Sequence, residues 1–195
     1  EQHGYCIIEG LMPASSVAAL DVDLARAFDA APMGHGDFYG FRTKRFGGLL
    51  RRSPWAGDLA LQPHILGLAR EILGKACDCI QLNVAQAIAI HPGEIEQFPH
   101  CDHDMWAGAK GAHEYLLNVI WPLTEFTVSN GATRVYPGTH KATVENLDQL
   151  GEPVGAVCNP GDALCFLGST VHGAGPNESE EVRRAVVIGY SLGWL

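Results

Sequence analysis

Three residues of the chain have the types and spacing of a metal site. His100 and Asp102 stand two residues apart, and His172 lies between an apolar run and a Gly-rich turn. Residues two apart in an extended strand point to the same side, so His100 and Asp102 are predicted to project into one pocket. Two His and one carboxylate occupy one face of an octahedron and leave three positions open, as in non-haem Fe(II) oxygenases. We therefore predict that these three residues bind a metal and form the catalytic centre.

Other residues compete for this assignment. His103 and Asp104 directly follow Asp102, but His103-x-Met105 offers no second ligand at the required spacing. Two His and one carboxylate also form open zinc sites. A metal-dependent hydrolase or isomerase, with Asp104 or Glu114 as general base, is therefore a second hypothesis.

A metal site of this kind can hold a 2-oxoacid by its keto-acid end, and the far carboxylate then needs a cation. Arginine suits this role because it pairs with a carboxylate through two parallel hydrogen bonds and stays charged. Arg183 and Arg184 open the last predicted strand, downstream of His172. One of the two can enter the cavity of His172, and the other must then point to the opposite face. The alternative is that both form surface ion pairs with the preceding acidic run, and spacing alone does not decide.

The composition limits the classes of partner. The chain has 195 residues, and we predict that residues 1–195 form a single domain. The formal net charge of −9 argues against a nucleic acid partner, and no apolar run has the length of a membrane span. The six cysteines match no zinc or disulfide pattern, which favours reduced thiols in a cytoplasmic protein.

A short segment near the N-terminus concentrates basic residues. Its members are Arg42, Lys44, Arg45, Arg51 and Arg52. The segment is either a solvated loop or a positive rim that attracts a small anionic substrate or co-substrate.

The hydrophobic pattern predicts two helices and a series of strands. One helix is expected to start at Ser15 or Ser16, either of which can serve as N-cap, and to end at Ala30. The second is expected from about Asp58 to Gly74, and residues 31–54 between them are predicted to be loop. Strands are predicted at residues 5–9, 80–90, 115–121, 132–136, 154–158, 163–167 and 185–192. Short strands separated by turns indicate a mainly β sandwich or barrel on which two helices pack.

Longer motifs surround the three candidate ligands. They are residues 4–10 (GYCIIEG), 121–123 (WPL), 130–141 (NGATRVYPGTHK), 161–162 (GD) and 167–175 (LGSTVHGAG). With His100-x-Asp102 and Arg183, they make nearly the whole chain resemble the phytanoyl-CoA dioxygenase family of Fe(II)/2-oxoglutarate oxygenases. The resemblance implies a double-stranded β-helix, a jelly-roll, cupin-like barrel with flanking α-helices. It also implies that His100, Asp102 and His172 bind Fe(II).

The resemblance further implies which residues contact 2-oxoglutarate. Arg183 stands at the spacing of the family's co-substrate arginine from the second histidine, and it is preferred to Arg184 on that ground. Gln97, three residues before His100, and Thr133 look like further contacts. Arg45 could approach the same pocket from the N-terminal side.

The function implied by the resemblance is a 2-oxoglutarate-dependent dioxygenase. Such an enzyme uses Fe(II), 2-oxoglutarate and O₂, hydroxylates or otherwise oxidises a small organic molecule such as a secondary metabolite, and releases succinate and CO₂. Related halogenases replace the metal-binding carboxylate with a small residue, so the presence of Asp102 favours hydroxylation. We expect a monomer or homodimer. A non-catalytic ligand-binding barrel is the third hypothesis.

The chain departs from the family at two places. It has little sequence between Asp102 and Tyr115 and between Lys141 and Val154, where relatives build the mouth of the barrel. The identity of the substrate is correspondingly open.

Overall fold

The computed structural model describes residues 2–106, 112–141 and 149–195. The two short mouth segments noted in the sequence lie partly outside these described residues. The helices are α1 (Ala14–Ala30), α2 (Pro54–Ala60) and α3 (Pro63–Leu73). The strands are β1 (Tyr5–Ile8), β2 (Thr43–Phe46), β3 (Ile80–Ile90), β4 (Leu116–Pro122), β5 (Thr133–Val135), β6 (Val154–Gly155), β7 (Ala163–Leu167), β8 (His172–Ala174) and β9 (Arg183–Leu192).

The strands form two antiparallel sheets. The larger sheet has the order β1-β7-β4-β9-β3-β2, and the smaller has the order β6-β5-β8. Sequence neighbours are mostly not sheet neighbours, because the chain crosses repeatedly between the sheets, as it does in a jelly roll. The predicted fold class, a mainly β jelly roll with flanking helices, is confirmed.

The larger sheet has a core on each face. On its outer face, Leu20 and Leu24 of α1 and Ile65 of α3 pack in one cluster with Trp121 of β4. On its inner face, residues such as Phe166 join a second cluster that faces the smaller sheet. Successive residues of a strand point to opposite faces, so β4 supplies both cores and is buried throughout.

The second predicted helix is two helices. α2 ends at Ala60 and α3 begins at Pro63. Proline at the first position of a helix needs no N–H partner, but proline inside a helix removes a hydrogen bond and clashes with the preceding turn. Leu61 lies in the break and is 68% exposed. The hydrophobic pattern that predicted one continuous helix had therefore included a residue that is not part of the core.

The start of α1 also differs from the prediction. The N-cap is Pro13, with no side-chain cap, and neither Ser15 nor Ser16 caps the helix. Either serine has a capping side chain, but the helix already begins at Ala14, so both serines lie inside its first turn.

Residues 31–54 contain a strand that the sequence pattern did not predict. β2 pairs with β3 at the edge of the larger sheet. An edge strand has one sheet neighbour and tolerates charged side chains. The charged Lys44 and Arg45 therefore interrupt the apolar alternation by which a strand is recognised in a sequence. In the smaller sheet, β6 is limited to two residues, shorter than predicted, and β8 was not predicted.

Among the described residues, no helix is long and apolar enough to cross a membrane.

The packing of α1 on the sheet gives a stability prediction. Leu24 is fully buried, and Val22 on the same helix is 73% exposed. Leu24→Ala should lower the free energy of unfolding by about 2–5 kcal/mol, because it leaves a cavity. Val22→Ala should change it by less than about 0.5 kcal/mol. Urea unfolding of both variants measures the difference, and equal losses would contradict the assignment of the core.

Candidate active site

A cavity of about 580 Å³ lies between the two sheets. Its walls come from strands of both sheets, including Ile88 of β3, Val187 of β9 and Thr133 of β5. His100, Asp102 and His172 all line it. The residues that the sequence singled out as metal ligands are therefore together in one cavity.

The two histidines are brought together by backbone pairing. His172 is the first residue of β8, and His100 lies outside the named strands but forms an antiparallel bridge with it. Each backbone N–H donates to the carbonyl of the other residue, at 2.9 and 3.0 Å. The pairing fixes the two rings side by side, with their centroids 4.5 Å apart.

Asp102 is the third member of the cluster formed with His100 and His172. Its Oδ1 lies 3.4 Å from Nε2 of His100, and its Oδ2 lies 3.7 Å from Nε2 of His172. One ligand atom from each of the three residues lies within 4.8 Å of the others, a spacing that could hold a metal ion.

The route by which Asp102 reaches this position differs from the expectation. Asp102 does not continue an extended strand after His100, because it begins a short 3-10 turn, Asp102–Met105. The N–H of His103 donates to the carbonyl of Gly168, and this bond holds the turn against the loop before His172. The same turn buries the ring of His103 against Tyr115, with centroids 4.3 Å apart. His103 consequently lies outside the cavity lining, and the choice of His100 over His103 agrees with the geometry.

Both histidines present the same ring nitrogen to the centre. Nδ1 of His100 lies 3.0 Å from the carbonyl of Phe98, and Nδ1 of His172 lies 3.1 Å from the carbonyl of Thr170. A backbone carbonyl can only accept, so it selects the tautomer that carries the proton on Nδ1 and leaves the Nε2 lone pair free. The rings are thus oriented as metal ligands.

The charge states also suit metal binding. Burial lowers the pKa of His172, although the negative charge of Asp102 opposes this shift. Burial raises the pKa of Asp102, but its contacts with the rings of His100 and His172 and the hydrogen bond from Asn118 together lower it below its ordinary value. Neutral imidazoles and an ionised carboxylate are the forms that bind a divalent metal.

Arg183 supplies a buried positive charge in the same cavity. It is the first residue of β9 and is only 3% exposed. Its guanidinium lies over the ring of Phe126, 4.2 Å from the centroid, and Nη1 donates to the carbonyl of Gly131. Burial and the nearby charge of Arg45 lower its pKa to about 9, so it stays protonated at neutral pH.

Arg184 points to the opposite face. Its Nη2 lies 2.7 Å from Oδ2 of Asp21, and its guanidinium lies 5.6 Å from the ring centroid of Phe28. Both partners belong to α1, on the outer side of the larger sheet. The alternation along β9 therefore separates the two arginines, and only Arg183 lines the cavity.

Arg45 approaches the cavity from β2. It lines the cavity, and Nη1 lies 3.5 Å from Oε1 of Gln86. The side-chain Nε atoms of Arg45 and Arg183 are both buried and have no hydrogen-bond partner within the described part of the chain. Two guanidiniums with unused donors line the same cavity as the acidic Asp102 and Asp104, and positive groups of this kind suit an anionic ligand.

The other two candidates for co-substrate contacts also line the cavity. Thr133 begins β5 and is 3% exposed. Gln97 uses its side-chain amide to join two segments, because Oε1 accepts from the N–H of Ala174 and Nε2 donates to the carbonyl of Phe38. In this arrangement Gln97 connects β8 to the segment that forms one side of the cavity mouth.

Two residues of the site were not identified from the sequence. Asn118, in the middle of β4, donates from Nδ2 to Oδ2 of Asp102 at 2.7 Å. Phe38 packs edge-on against His100, with centroids 4.8 Å apart, and is 46% exposed at the mouth. For Asn118 a signal existed, because an amide within the apolar run 116–122 needs a buried partner. Phe38 lies in a Gly-rich segment without periodicity, which gave no signal.

Comparison with known proteins agrees with this architecture. The family model described as Phytanoyl-CoA dioxygenase (PhyH) matches residues 1–185. The chain therefore belongs to the phytanoyl-CoA dioxygenase family.

Among its relatives are fungal dioxygenases. The chain is 32% identical over 181 residues to dioxygenase trt7 of Aspergillus terreus, an alignment that covers 90% of this chain and 63% of trt7. It is 30% identical over 215 residues to dioxygenase FrzG of a Cladobotryum species, covering 96% of this chain and 70% of FrzG. The chain thus spans just under two thirds of the length of trt7 and slightly more of FrzG.

A solved structure shares the fold at lower identity. The non-heme alpha ketoglutarate dependent epimerase SnoN from nogalamycin biosynthesis superposes with a TM-score of 0.81 at 20% identity, covering 98% of this chain and 78% of SnoN. A structure of SnoN in complex with Fe3+, alpha ketoglutarate and nogalamycin RO gives a TM-score of 0.76. At this identity the likeness establishes the jelly-roll fold.

The burial of His172 predicts that the metal-free protein loses stability as the pH falls below about 6.5, the pKa of an unperturbed histidine. Because burial lowers the pKa of His172 in the folded state, the unfolded chain binds a proton that the folded chain does not bind. Stability then rises with pH across this window. In His172→Gln, the dependence of the free energy of unfolding on pH between about 5 and 7 should be weaker. Urea unfolding of both metal-free proteins tests this, and equal slopes would contradict it.

Proposed function

We propose that the chain is an Fe(II)- and 2-oxoglutarate-dependent dioxygenase, which hydroxylates or otherwise oxidises a small organic molecule with release of succinate and CO₂. The observation that carries the proposal is that three metal-ligand atoms within 4.8 Å of one another share a cavity with the buried guanidinium of Arg183. The same cavity therefore offers a set of metal ligands and a positive group that can bind a carboxylate of a dicarboxylic acid.

The donor set fits the proposed metal. Two imidazoles and one carboxylate leave open positions on the metal for other ligands, and they suit Fe(II). We assign the three ligand roles to Nε2 of His100, Nε2 of His172 and a carboxylate oxygen of Asp102. When bound, iron and 2-oxoglutarate supply the activation of O₂, and the protein supplies binding, orientation and a suitable environment.

The charge distribution fits the proposed co-substrate. 2-Oxoglutarate has two carboxylates, of which one belongs to the keto-acid end and the other lies at the far end. We assign the far carboxylate to Arg183, whose unused Nε and fixed orientation over Phe126 suit a bidentate pair. Arg45, Gln97 and Thr133 also line the cavity and are proposed as further contacts.

The remaining walls form a space for the substrate, which would displace water from it when bound. Ile88, Ile90 and Ile120 line the cavity with aliphatic groups, and Phe38 and Tyr39 lie on its exposed side. Exclusion of water strengthens the electrostatic contacts inside and limits side reactions. The proposed partner is therefore a small organic molecule. A cytoplasmic location and a monomeric or homodimeric state stay predictions.

A zinc-dependent hydrolase is the alternative that uses the same ligands. Of its two candidate bases, Glu114 does not line the cavity, and its carboxylate instead accepts hydrogen bonds from Ser169 and from the N–H of Tyr115. Asp104 does line the cavity. The choice of metal in the following experiment separates the two reactions.

The proposal predicts metal-specific turnover of the co-substrate. Protein purified without oxygen and loaded with Fe(II) should, with ascorbate supplied to reduce the second oxygen atom to water, convert 2-oxoglutarate and O₂ slowly to succinate and CO₂ even without the substrate, and Zn²⁺ should not replace Fe(II). His172→Ala should lower the rate by at least about a thousandfold, because removal of a ligand from an open site takes away the metal. Mass spectrometry of succinate measures the rate. Succinate formation that persists in His172→Ala, or activity that appears only with Zn²⁺, would contradict the proposal.

The assignment of the far carboxylate predicts a difference between two adjacent arginines. Arg183→Lys keeps the charge but loses the planar pair of donors, and it should raise the dissociation constant for 2-oxoglutarate about tenfold or more, as for the loss of one charge-assisted hydrogen bond of about 1.5–3 kcal/mol. Arg184→Lys is the matched control, because it makes the same change on the opposite face of the same strand, and it should change this constant less than about twofold. Calorimetric titration of 2-oxoglutarate into metal-loaded protein measures both. Equal effects, or a larger effect at Arg184, would contradict the assignment.

A further inference from the structure

Asn118 is a buried amide in the middle of an apolar strand. It is 4% exposed, and its neighbours on the same face of β4, Leu116 and Ile120, are apolar. An amide buried among such residues costs free energy unless its polar groups are bonded. A residue of this kind therefore needs a specific partner.

That partner is the carboxylate of Asp102. Nδ2 of Asn118 donates to Oδ2 of Asp102 at 2.7 Å, and Oδ2 also lies 3.7 Å from Nε2 of His172, whereas Oδ1 lies 3.4 Å from Nε2 of His100. An amide N–H bonded to one carboxylate oxygen reduces its ability to bind a metal and holds the carboxylate plane in one orientation. The other oxygen is left as the better ligand.

The neighbouring strand leaves space for this amide. Gly189 of β9 lies directly opposite Asn118 in the register of β4 and β9. A Cβ at position 189 would lie 2.9 Å from Oδ1 of Asn118 and 3.3 Å from Cβ of Val84. Any side chain at position 189 would therefore push the amide away from its present orientation or shift the strand.

We propose that Asn118 is a positioning residue that holds Asp102 as a one-oxygen ligand of the metal, and that the absence of a side chain at Gly189 is what permits it. The inference rests on the proposed metal site. It gives Asp102 the kind of support that the carbonyls of Phe98 and Thr170 give the two histidines.

The arrangement has a chemical consequence. A carboxylate that rotates freely can bind a metal through both oxygens and so occupy a position that a co-substrate or O₂ requires. With Oδ2 bonded to Asn118, Asp102 contributes one oxygen and the metal keeps three open positions. The amide thus affects both the affinity for metal and the number of positions left open.

The direct test removes the donor without removing volume. Asn118→Leu is nearly isosteric but cannot donate, and it should raise the dissociation constant for Co(II) about ten- to a hundredfold, the usual effect of losing a residue that supports a metal ligand. Co(II) is used because its visible spectrum also reports the coordination number. The spectrum of the variant should differ from that of the parent, both alone and with 2-oxoglutarate added. Val119→Ala is the structural control, because it lies on the same strand but faces the outer core, and it should lower the melting temperature without changing either reading.

A second variant moves the amide without altering it. Gly189→Ala should displace Asn118 and weaken Co(II) binding in the same direction as Asn118→Leu. Gly67→Ala is its matched control, because a Cβ at that position of α3 meets nothing within 4 Å, and it should leave Co(II) binding unchanged. The melting temperature of each variant shows that the folded protein is being titrated.

The outcomes separate this inference from the proposed function. If folded Asn118→Leu binds Co(II) within about twofold of the parent and has the same spectrum, Asn118 does not position the ligand, although the metal site itself stands. If folded Gly189→Ala also binds Co(II) within about twofold of the parent, the absence of a side chain at position 189 is not what permits Asn118 to hold Asp102. If the parent and His172→Ala bind Co(II) equally, the metal site is absent and the proposed function fails first.

Discussion

The antiparallel pairing of His100 with His172 is the constraint on which the site depends. Two backbone hydrogen bonds, of 2.9 and 3.0 Å, join residues that are distant in the sequence and set their rings side by side. Because His172 begins β8 and β8 pairs with β5, the pairing also orders the smaller sheet against the segment that carries Asp102. The jelly roll can thus be understood as the framework that keeps this one contact in register.

The rest of the site consists of groups that hold the ligands and charges in place. Backbone carbonyls orient the two imidazoles, and the amide of Asn118 orients the carboxylate. The cavity is also lined by two guanidiniums whose buried Nε donors are unused within the described part of the chain, an arrangement that is costly without an anion. The cavity therefore contains a set of candidate metal ligands and also positive charge that a bound anion would neutralise. Together these two features are what the proposed 2-oxoglutarate-dependent centre requires beyond a simple open metal site.

Much of this site was predictable from short-range patterns, and the remainder depends on long-range register. His100 and Asp102 were predictable as a pair because they stand only two residues apart in the sequence, although a turn rather than a strand brings them together. The choice between Arg183 and Arg184 depends on which of the two side chains faces the cavity. Residue spacing alone does not determine this. The role of Asn118 depends on how β4 aligns with that turn, which local pattern does not encode. β2 and the break at Pro63 were missed for local reasons, namely an edge strand with charged side chains and a helical period that continued across a proline.

A crystal structure of the protein grown without oxygen, with Mn(II) and 2-oxoglutarate, tests the central claim most directly. The account predicts one metal ion, located by its anomalous scattering, at bonding distance from Nε2 of His100, Nε2 of His172 and one oxygen of Asp102. It also predicts that 2-oxoglutarate binds the metal by its keto-acid end and Arg183 by its far carboxylate. A metal bound to other residues, or a far carboxylate that does not reach Arg183, would contradict the account.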